Sequence, residues 1–286
     1  MPLSTAHATT LTTPSGITSH VTFTPVDDPA APVLVIRPAF GAPATYYRHL
    51  TPALAEVGLA SLVVEYPGRE TRDGIGRETT YGYDALATEV HESVMAHVRE
   101  LRPDTPVVLL GHSLGGHVSA FAAALHAGGP DAVDGIVLAT SASPYWRGYG
   151  PRGRVRSFAG TALMAGVARA VGYWPGDRLK FWGRQSRVLV DDWARLARTG
   201  RVAPRGARVD YEQALAAYDG PVLTISVPHD TLAPQGGLEQ MLRWMPKARV
   251  TRWHSPEDVG HITWVRHHEQ IVPVIAAWIE ENIAAR

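Results

Sequence analysis

Residues 106–116, PVVLLGHSLGG, constrain the fold of this chain more than any other stretch. Pro106–Leu110 is a short run of apolar residues of the type that forms a strand buried on both faces. A turn bounded by glycines follows at once, Gly111-His112-Ser113-Leu114-Gly115, and residues 117–127 are helical in composition. A buried strand passing straight into a helix points to an alternating α/β architecture, provided that the rest of the chain repeats the pattern.

It does. Residues 33–38, 60–66, 133–139 and 221–227 are further short apolar runs of buried type, 17–24 alternates like an exposed antiparallel strand, and 248–253 reads as the last strand. Residues 84–101 place Leu86, Val90, Val94, Val98 and Leu101 on one helical stripe, and 274–283 is also helical in composition. Strand, helix and strand in alternation imply right-handed crossovers and a mostly parallel central sheet flanked by helices on both faces. The alternation lapses between Ser141 and about Tyr218, where no strand-like run occurs and Gly, Arg and Trp are frequent. This predicts an α/β core formed by 1–140 and 219–286, with a helical cap inserted at 141–218. An independent domain is not expected there, because roughly 75 residues alone would have a marginal core.

The Gly-x-Ser-x-Gly pattern lifts a serine Oγ above the sheet on a strained strand-to-helix turn, and the strand before it and helix after it supply the setting that this turn needs. Ser113 is therefore the candidate nucleophile. Near neutral pH a serine needs a base within hydrogen-bond reach and a carboxylate that orients the base. Asp230, in Pro228-His229-Asp230-Thr231, lies at the carboxyl end of the strand at 221–227, where open α/β sheets place their functional groups. The bland alternative for Asp230 is a turn cap. The corresponding loop after the preceding strand, Thr140-Ser141-Ala142-Ser143, holds no carboxylate. His261 follows Gly260 in the loop before the terminal helix and is the candidate base; His254, at the end of the last strand, is its rival. His112 and His117 are read as structural histidines, and His267 and His268 as solvated ones. Acyl chemistry also needs two N–H donors for an oxyanion, one after the nucleophile and one from the loop after the first buried strand. Those are the backbones of Leu114 and of Phe40, in Pro38-Ala39-Phe40-Gly41.

Composition narrows the alternatives. With no cysteine, disulfides, thiolate metal sites and a cysteine nucleophile are excluded. There is no H-E-x-x-H, no aspartate-rich loop and no P-loop lysine, so neither a metal nor a cofactor is expected. Net charge is zero, which gives no bias toward nucleic acid. The first residues lack a basic segment followed by an apolar run, and no window reaches the ~18 apolar residues that a span needs, so a cytoplasmic protein without stable membrane insertion is expected.

The motifs GHSLGG, His229-Asp230 and Gly260-His261 resemble the α/β-hydrolase superfamily over nearly the whole chain. SPYW (143–146), GYWPG (172–176), DDWARLAR (191–198) and VPHDTLAP (227–234) are similar to predicted serine esterases of lysophospholipase-like type, whereas YPGRETR (66–72) resembles type II thioesterases. The usual His-Gly of the family's oxyanion loop is Pro38-Ala39 here. The resemblance implies an esterase or thioesterase acting through an acyl-enzyme; the same three residues could serve an acyltransferase or a lactone-forming cyclase, and a non-catalytic binding protein is the alternative from another class. The expected partner is a small acyl substrate, free or bound to CoA or a carrier protein. Tyr145, Trp146, Trp174, Trp182 and Trp193 are candidate pocket residues, since cap aromatics suit an apolar acyl group, although they would equally serve as the cap's own core. Residues 141–210 carry fourteen Arg or Lys against four Asp or Glu, a basic cap that would attract anionic substrates if it is more than a solvated face.

Overall fold

The computed structural model describes residues 6–69, 74–181 and 183–283. The chain opens with a hairpin, β1 (His7–Thr12) and β2 (Thr18–Thr24), and continues through β3 (Val33–Arg37), α1 (Leu50–Glu56) and β4 (Ala60–Val64). Next come α2 (Tyr83–Ala87), α3 (Glu89–Leu101), β5 (Val107–His112), α4 (Leu114–Leu125) and β6 (Gly135–Ala139). The stretch between β6 and β9 holds α5 (Pro151–Val155), α6 (Thr161–Val171), β7 (Tyr173–Trp174), β8 (Gln185–Ser186), α7 (Arg187–Thr199) and α8 (Tyr211–Ala217). The core resumes with β9 (Pro221–Ser226), α9 (Gln235–Leu242), β10 (Arg249–His254) and α10 (Ile271–Asn282).

Eight strands form one sheet in the order β1-β2-β4-β3-β5-β6-β9-β10, parallel from β4 to β10 and antiparallel at the β1 and β2 edge. The pleat sends Val33 and Val35 of β3 into one core with α3 and α4, and Leu34 and Ile36 into the other with α1 and α10. Each fully buried side chain of this size contributes about 1.5–3 kcal/mol. Strand order reverses at β3: the chain first steps outward to β4 and then returns to the other side with β5. A crevice therefore opens between the carboxyl ends of β3 and β5, the place where open α/β sheets hold ligands.

The sequence reading needs four corrections of detail. β1 forms from the threonine-rich HATTLT, which has no buried face to reveal it. The helix expected over 84–101 is broken at Thr88 into α2 and α3, and Leu101 is 40% exposed rather than part of the buried stripe of Val90, Val94 and Val98. The stretch expected to lack strands contains the two-residue pair β7 and β8. The helix expected at 117–127 begins earlier, at Leu114, directly against Ser113. Among the described residues no helix is long and apolar enough to cross a membrane.

Candidate active site

The elbow is built by what its glycines lack. A Cβ on Gly115 would collide with the Arg37 carbonyl of β3, and one on Gly111 would meet the backbone of Gly116, so α4 can start directly over the end of β5 only with glycine at both places. Between them Ser113 is held at φ 53° and ψ −116°, a costly conformation for a residue with a side chain. The Ser141 hydroxyl donates to the Ser113 carbonyl at 2.7 Å, and the Ser113 N–H donates to Ala139 at 3.0 Å, fastening the turn to the end of β6.

The three residues singled out from the sequence meet. Ser113 Oγ lies 2.9 Å from His261 Nε2, and His261 Nδ1 lies 2.8 Å from Asp230 Oδ2. A carboxylate facing Nδ1 fixes the proton there, which leaves Nε2 with the lone pair that accepts from the serine hydroxyl. The other oxygen, Asp230 Oδ1, accepts from the N–H groups of Leu232 and Ala233, both at 2.8 Å. Burial alone would raise the Asp230 carboxyl. The hydrogen bond and charge of His261, with the two N–H donors, outweigh it and hold the group below its ordinary value. His254, the rival base, bonds instead to the Ser226 hydroxyl at 2.8 Å, and Asp258 pairs with His229 at 3.1 Å on the surface.

Phe40 and Leu114 both line the cavity above Ser113. Leu114 is the first residue of α4, so its N–H precedes the helical ladder. No acceptor among the described residues takes the N–H of either residue. Where the family would have His-Gly, the loop is pinned by two tyrosines that the sequence did not single out. Tyr66 donates to the Pro38 carbonyl at 2.7 Å, and the Ala39 N–H donates to the Tyr47 hydroxyl at 2.9 Å. Of the YPGRETR stretch that contains Tyr66, residues 70–72 lie outside the described residues.

Tyr47 also connects this loop to the base. Its hydroxyl lies 2.8 Å from His112 Nδ1, and His112 Nε2 lies 3.0 Å from the His261 carbonyl. A carbonyl can only accept, so His112 carries its proton on Nε2 and Nδ1 receives the Tyr47 proton. Burial, followed by the nearby charge of His261, pushes His112 down to about 3, which keeps it neutral. His117 repeats the design: Tyr83 donates to Nδ1 and Nε2 donates to the Ala142 carbonyl, both at 2.8 Å, while burial pushes it down to about 4. The structural reading of these two histidines matches their surroundings, with the addition that His112 holds a loop of the site.

The cavity over Ser113 has a volume of about 240 Å³. Phe40, Met164, Trp174, Phe181 and Trp193 give it an apolar wall. Trp193 arrives on α7, which the Ser186 hydroxyl caps at its start and Gly200, at φ 72°, ends; its ring packs 5.3 Å from that of Phe40. Trp174 lies in β7, two residues beyond Gly172, whose φ of 98° ends α6. Of the other aromatic residues expected in the pocket, Trp146 and Tyr145 are not among its lining. Trp146 packs on Phe158 at 6.1 Å and Tyr145 on Trp146, and Trp182 lies outside the described residues. Arg156, Ser157 and Gly160 reach the cavity from a π-helical turn (Arg156–Gly160) between α5 and α6, a local rewinding that no sequence period foretells.

A sheet that reverses order at this crevice, with a serine, histidine and aspartate joined by hydrogen bonds at the ends of three strands, defines a class that comparison with known proteins identifies. The model of the Alpha/beta hydrolase family matches residues 33–274, and the chain belongs to that family. No curated protein matches the sequence. Among solved structures, an esterase from Exiguobacterium antarcticum is similar at 17% identity, with 96% of this chain and 100% of the other covered and a TM-score of 0.62. The alpha/beta hydrolase GrgF from Penicillium sp. sh18 is similar at 16% identity (98% and 99% covered, TM-score 0.65), and the esterase RhEst1 from Rhodococcus sp. ECU1013 at 18% (96% and 99%, TM-score 0.56). At such identities the likeness is one of fold.

Proposed function

We propose that this protein is a serine hydrolase that cleaves an acyl ester or thioester through an acyl-enzyme on Ser113. The observation that carries the reading is the unbroken hydrogen-bonded series from Ser113 Oγ through His261 to Asp230 at the floor of an apolar cavity. In the first half-reaction Ser113 Oγ attacks the acyl carbon while His261 Nε2 takes its proton, and Asp230 stabilises the imidazolium. The carbonyl oxygen, now negative, is met by the N–H groups of Phe40 and Leu114. The tetrahedral species collapses with loss of the alcohol or thiol, which leaves with the proton from His261. Water then enters, loses a proton to His261 and attacks the ester carbon; the bond to Ser113 Oγ breaks as His261 returns the proton to that oxygen, and the acid is released.

The apolar wall favours an acyl chain over a charged acyl group. Within the family, the cap motifs favour the esterase branch, and the Tyr66 segment adds thioesters to the candidate substrates. A panel of p-nitrophenyl esters and acyl thioesters of rising chain length is the direct test, with a fluorophosphonate as the site probe. The expected result is turnover with labelling at Ser113 and the loss of both in Ser113→Ala. Labelling at another serine, or undiminished turnover by the variant, overturns the assignment.

A further inference from the structure

Beside the catalytic cavity lies a second and larger groove, with a volume of about 1000 Å³, bounded by α5, the loop that follows β9 and the last residue of β10. The two spaces share Tyr149, Arg156 and Ala233 in their walls, so the groove continues the cavity. Its lining includes Arg152, Arg156, His229 and His254. Five arginines in the neighbouring segments have their charge taken up: Arg169 and Arg187 by Asp191, Arg195 by Asp192, Arg184 by Asp177 and Arg201 by Glu212. Arg154 turns away from the groove, donating to the Tyr149 carbonyl and lying over the Trp146 ring.

Arg152 and Arg156, which stand in the groove wall, have no such pairing. Arg152 has no polar partner among the described residues, and Arg156 donates only to the Thr231 carbonyl, which leaves most of its donors unused. His254 spends Nδ1 on Ser226, and its Nε2 has no partner among the described residues. Among the described residues no carboxylate forms an ion pair with either arginine. Asp230 lines the groove, but its oxygens are occupied by His261, Leu232 and Ala233, and Asp258 is paired with His229.

We infer that this groove is the subsite for a leaving group that carries a phosphate, with Arg152 and Arg156 as its anchors. The inference rests on the serine-hydrolase reading for its chemistry. In that chemistry His261 returns a proton to the departing oxygen or sulfur as its bond to the acyl carbon breaks, so the leaving group lies on the imidazole side of Ser113. Asp230, bonded directly behind that imidazole, lines the groove. The acyl chain thus takes the apolar cavity while the leaving group extends past Arg156 toward Arg152. Two guanidiniums without carboxylate partners suit an anion of more than one charge, and the planar donor set of arginine suits phosphate oxygens.

The phosphate can belong to a nucleotide thiol or to a phosphorylated glycerol, and the test carries an arm for each. One arm compares octanoyl-CoA with octanoyl-N-acetylcysteamine, and the other compares an acylglycerol phosphate with the matching monoacylglycerol. In each arm the readout is the ratio of kcat/KM for the charged substrate to that for its neutral partner. Arg152→Gln and Arg156→Gln are expected to lower the ratio about tenfold each, the loss of one charge-assisted contact at an exposed site. Arg154→Gln is expected to keep it. Raising the salt from 0.01 to 0.1 M shortens the Debye length from about 30 to about 10 Å and should lower the ratio in the unsubstituted protein as well.

A fall in the thioester arm alone assigns a nucleotide thiol, and one in the glyceride arm alone a phosphorylated glycerol. A ratio unchanged by Arg152→Gln and Arg156→Gln in both arms, or lowered as much by Arg154→Gln, overturns the inference. Calorimetric titration of CoA and of glycerol phosphate into Ser113→Ala separates the two readings. Arginine-dependent binding without turnover by the intact protein would keep the groove and reject the hydrolase. Turnover with no arginine dependence of the ratio would do the reverse.

Discussion

Replacing Tyr47 by Phe removes a single oxygen from the base of the site, and the structure fixes what that oxygen does. It accepts the Ala39 N–H at 2.9 Å and donates to His112 Nδ1 at 2.8 Å. Tyr47 and His112 are fully buried and Ala39 is 1% exposed, so water cannot take over either bond. Phe keeps the ring and its packing. The variant therefore strands one donor and one acceptor, each at a cost of about 1–3 kcal/mol. The expected loss is about 2–4 kcal/mol of stability, a large part of the ~5–15 kcal/mol typical of a folded domain. Urea denaturation should show a lower midpoint at an unchanged slope, with a thermal midpoint about 4–8 °C lower. Turnover should also suffer, because Ala39 precedes the Phe40 donor. Deleting an oxyanion donor outright costs about 10²–10³ in kcat, and loosening one should cost less, about tenfold, with KM little changed. In combination with His112→Gln the two losses should be less than additive, since both variants break the same series of bonds. Stability within about 0.5 kcal/mol of the parent, or additive losses, would refute the reasoning.

Asp230→Asn should lower kcat by about 10⁴ by releasing the His261 tautomer, whereas Asp258→Asn, which touches only the exposed His229, should stay within a few-fold of the parent when assayed on a neutral ester. Gly115→Ala should impair both folding and turnover, because the new methyl group meets the Arg37 carbonyl; equal urea midpoints would contradict the close approach of α4 to β3. Folding stability should fall as the pH drops below about 6.5, where the unfolded chain protonates histidines that the fold keeps neutral. His112 and His117 have folded values of about 3 and 4, so their contribution is complete above pH 6.5 and is lost on acidification. Each accounts for up to about 1.4 kcal/mol per pH unit over that window, and His117→Gln should flatten the decline of the urea midpoint. The lowered Asp230 carboxyl acts with the same sign, its contribution disappearing only below about pH 4.

What was legible in the sequence was whatever depends on short range. PVVLL next to GHSLGG defined a strand, a turn and a helix within one window, and the chemistry of a serine nucleophile then required a later carboxylate and a later histidine. Apolar runs at 33–38, 60–66 and 221–227 became β3, β4 and β9 because strands buried on both faces have no polar alternation to confuse them. Illegible were the features set by tertiary neighbours. Tyr47 and His112 are 65 residues apart, and nothing in Thr45-Tyr46-Tyr47 marks the second tyrosine as the one that turns inward. Tryptophans were visible as bulk but not as direction. Trp174 reaches the cavity from β7, just past the end of α6, and Trp193 from the middle of α7, while Trp146 lies outside the lining against Phe158. The fourteen cations of the basic stretch likewise read as one block. Pairing with Asp177, Asp191 and Asp192 removes part of it, and what remains at the groove is a specific pair.

The loops that carry the site are joined by neutral groups, and the reason lies in where the joints are. The His261 carbonyl receives the Thr140 hydroxyl and the His112 N–H, both at 3.0 Å, so the backbone of the base is fixed from the ends of β6 and β5. Its Nδ1 is fixed by Asp230 from the end of β9. Only Nε2 is left to act, and it faces Ser113. Ion pairs in place of His112 and Tyr47 would have to shed their water in a fully buried layer, at a cost that exceeds their attraction unless every remaining donor and acceptor is met. They would also place a permanent charge beside an imidazole that, in the proposed reaction, gains and loses one. A neutral tyrosine and a histidine pushed to about 3 hold the same geometry with no such field.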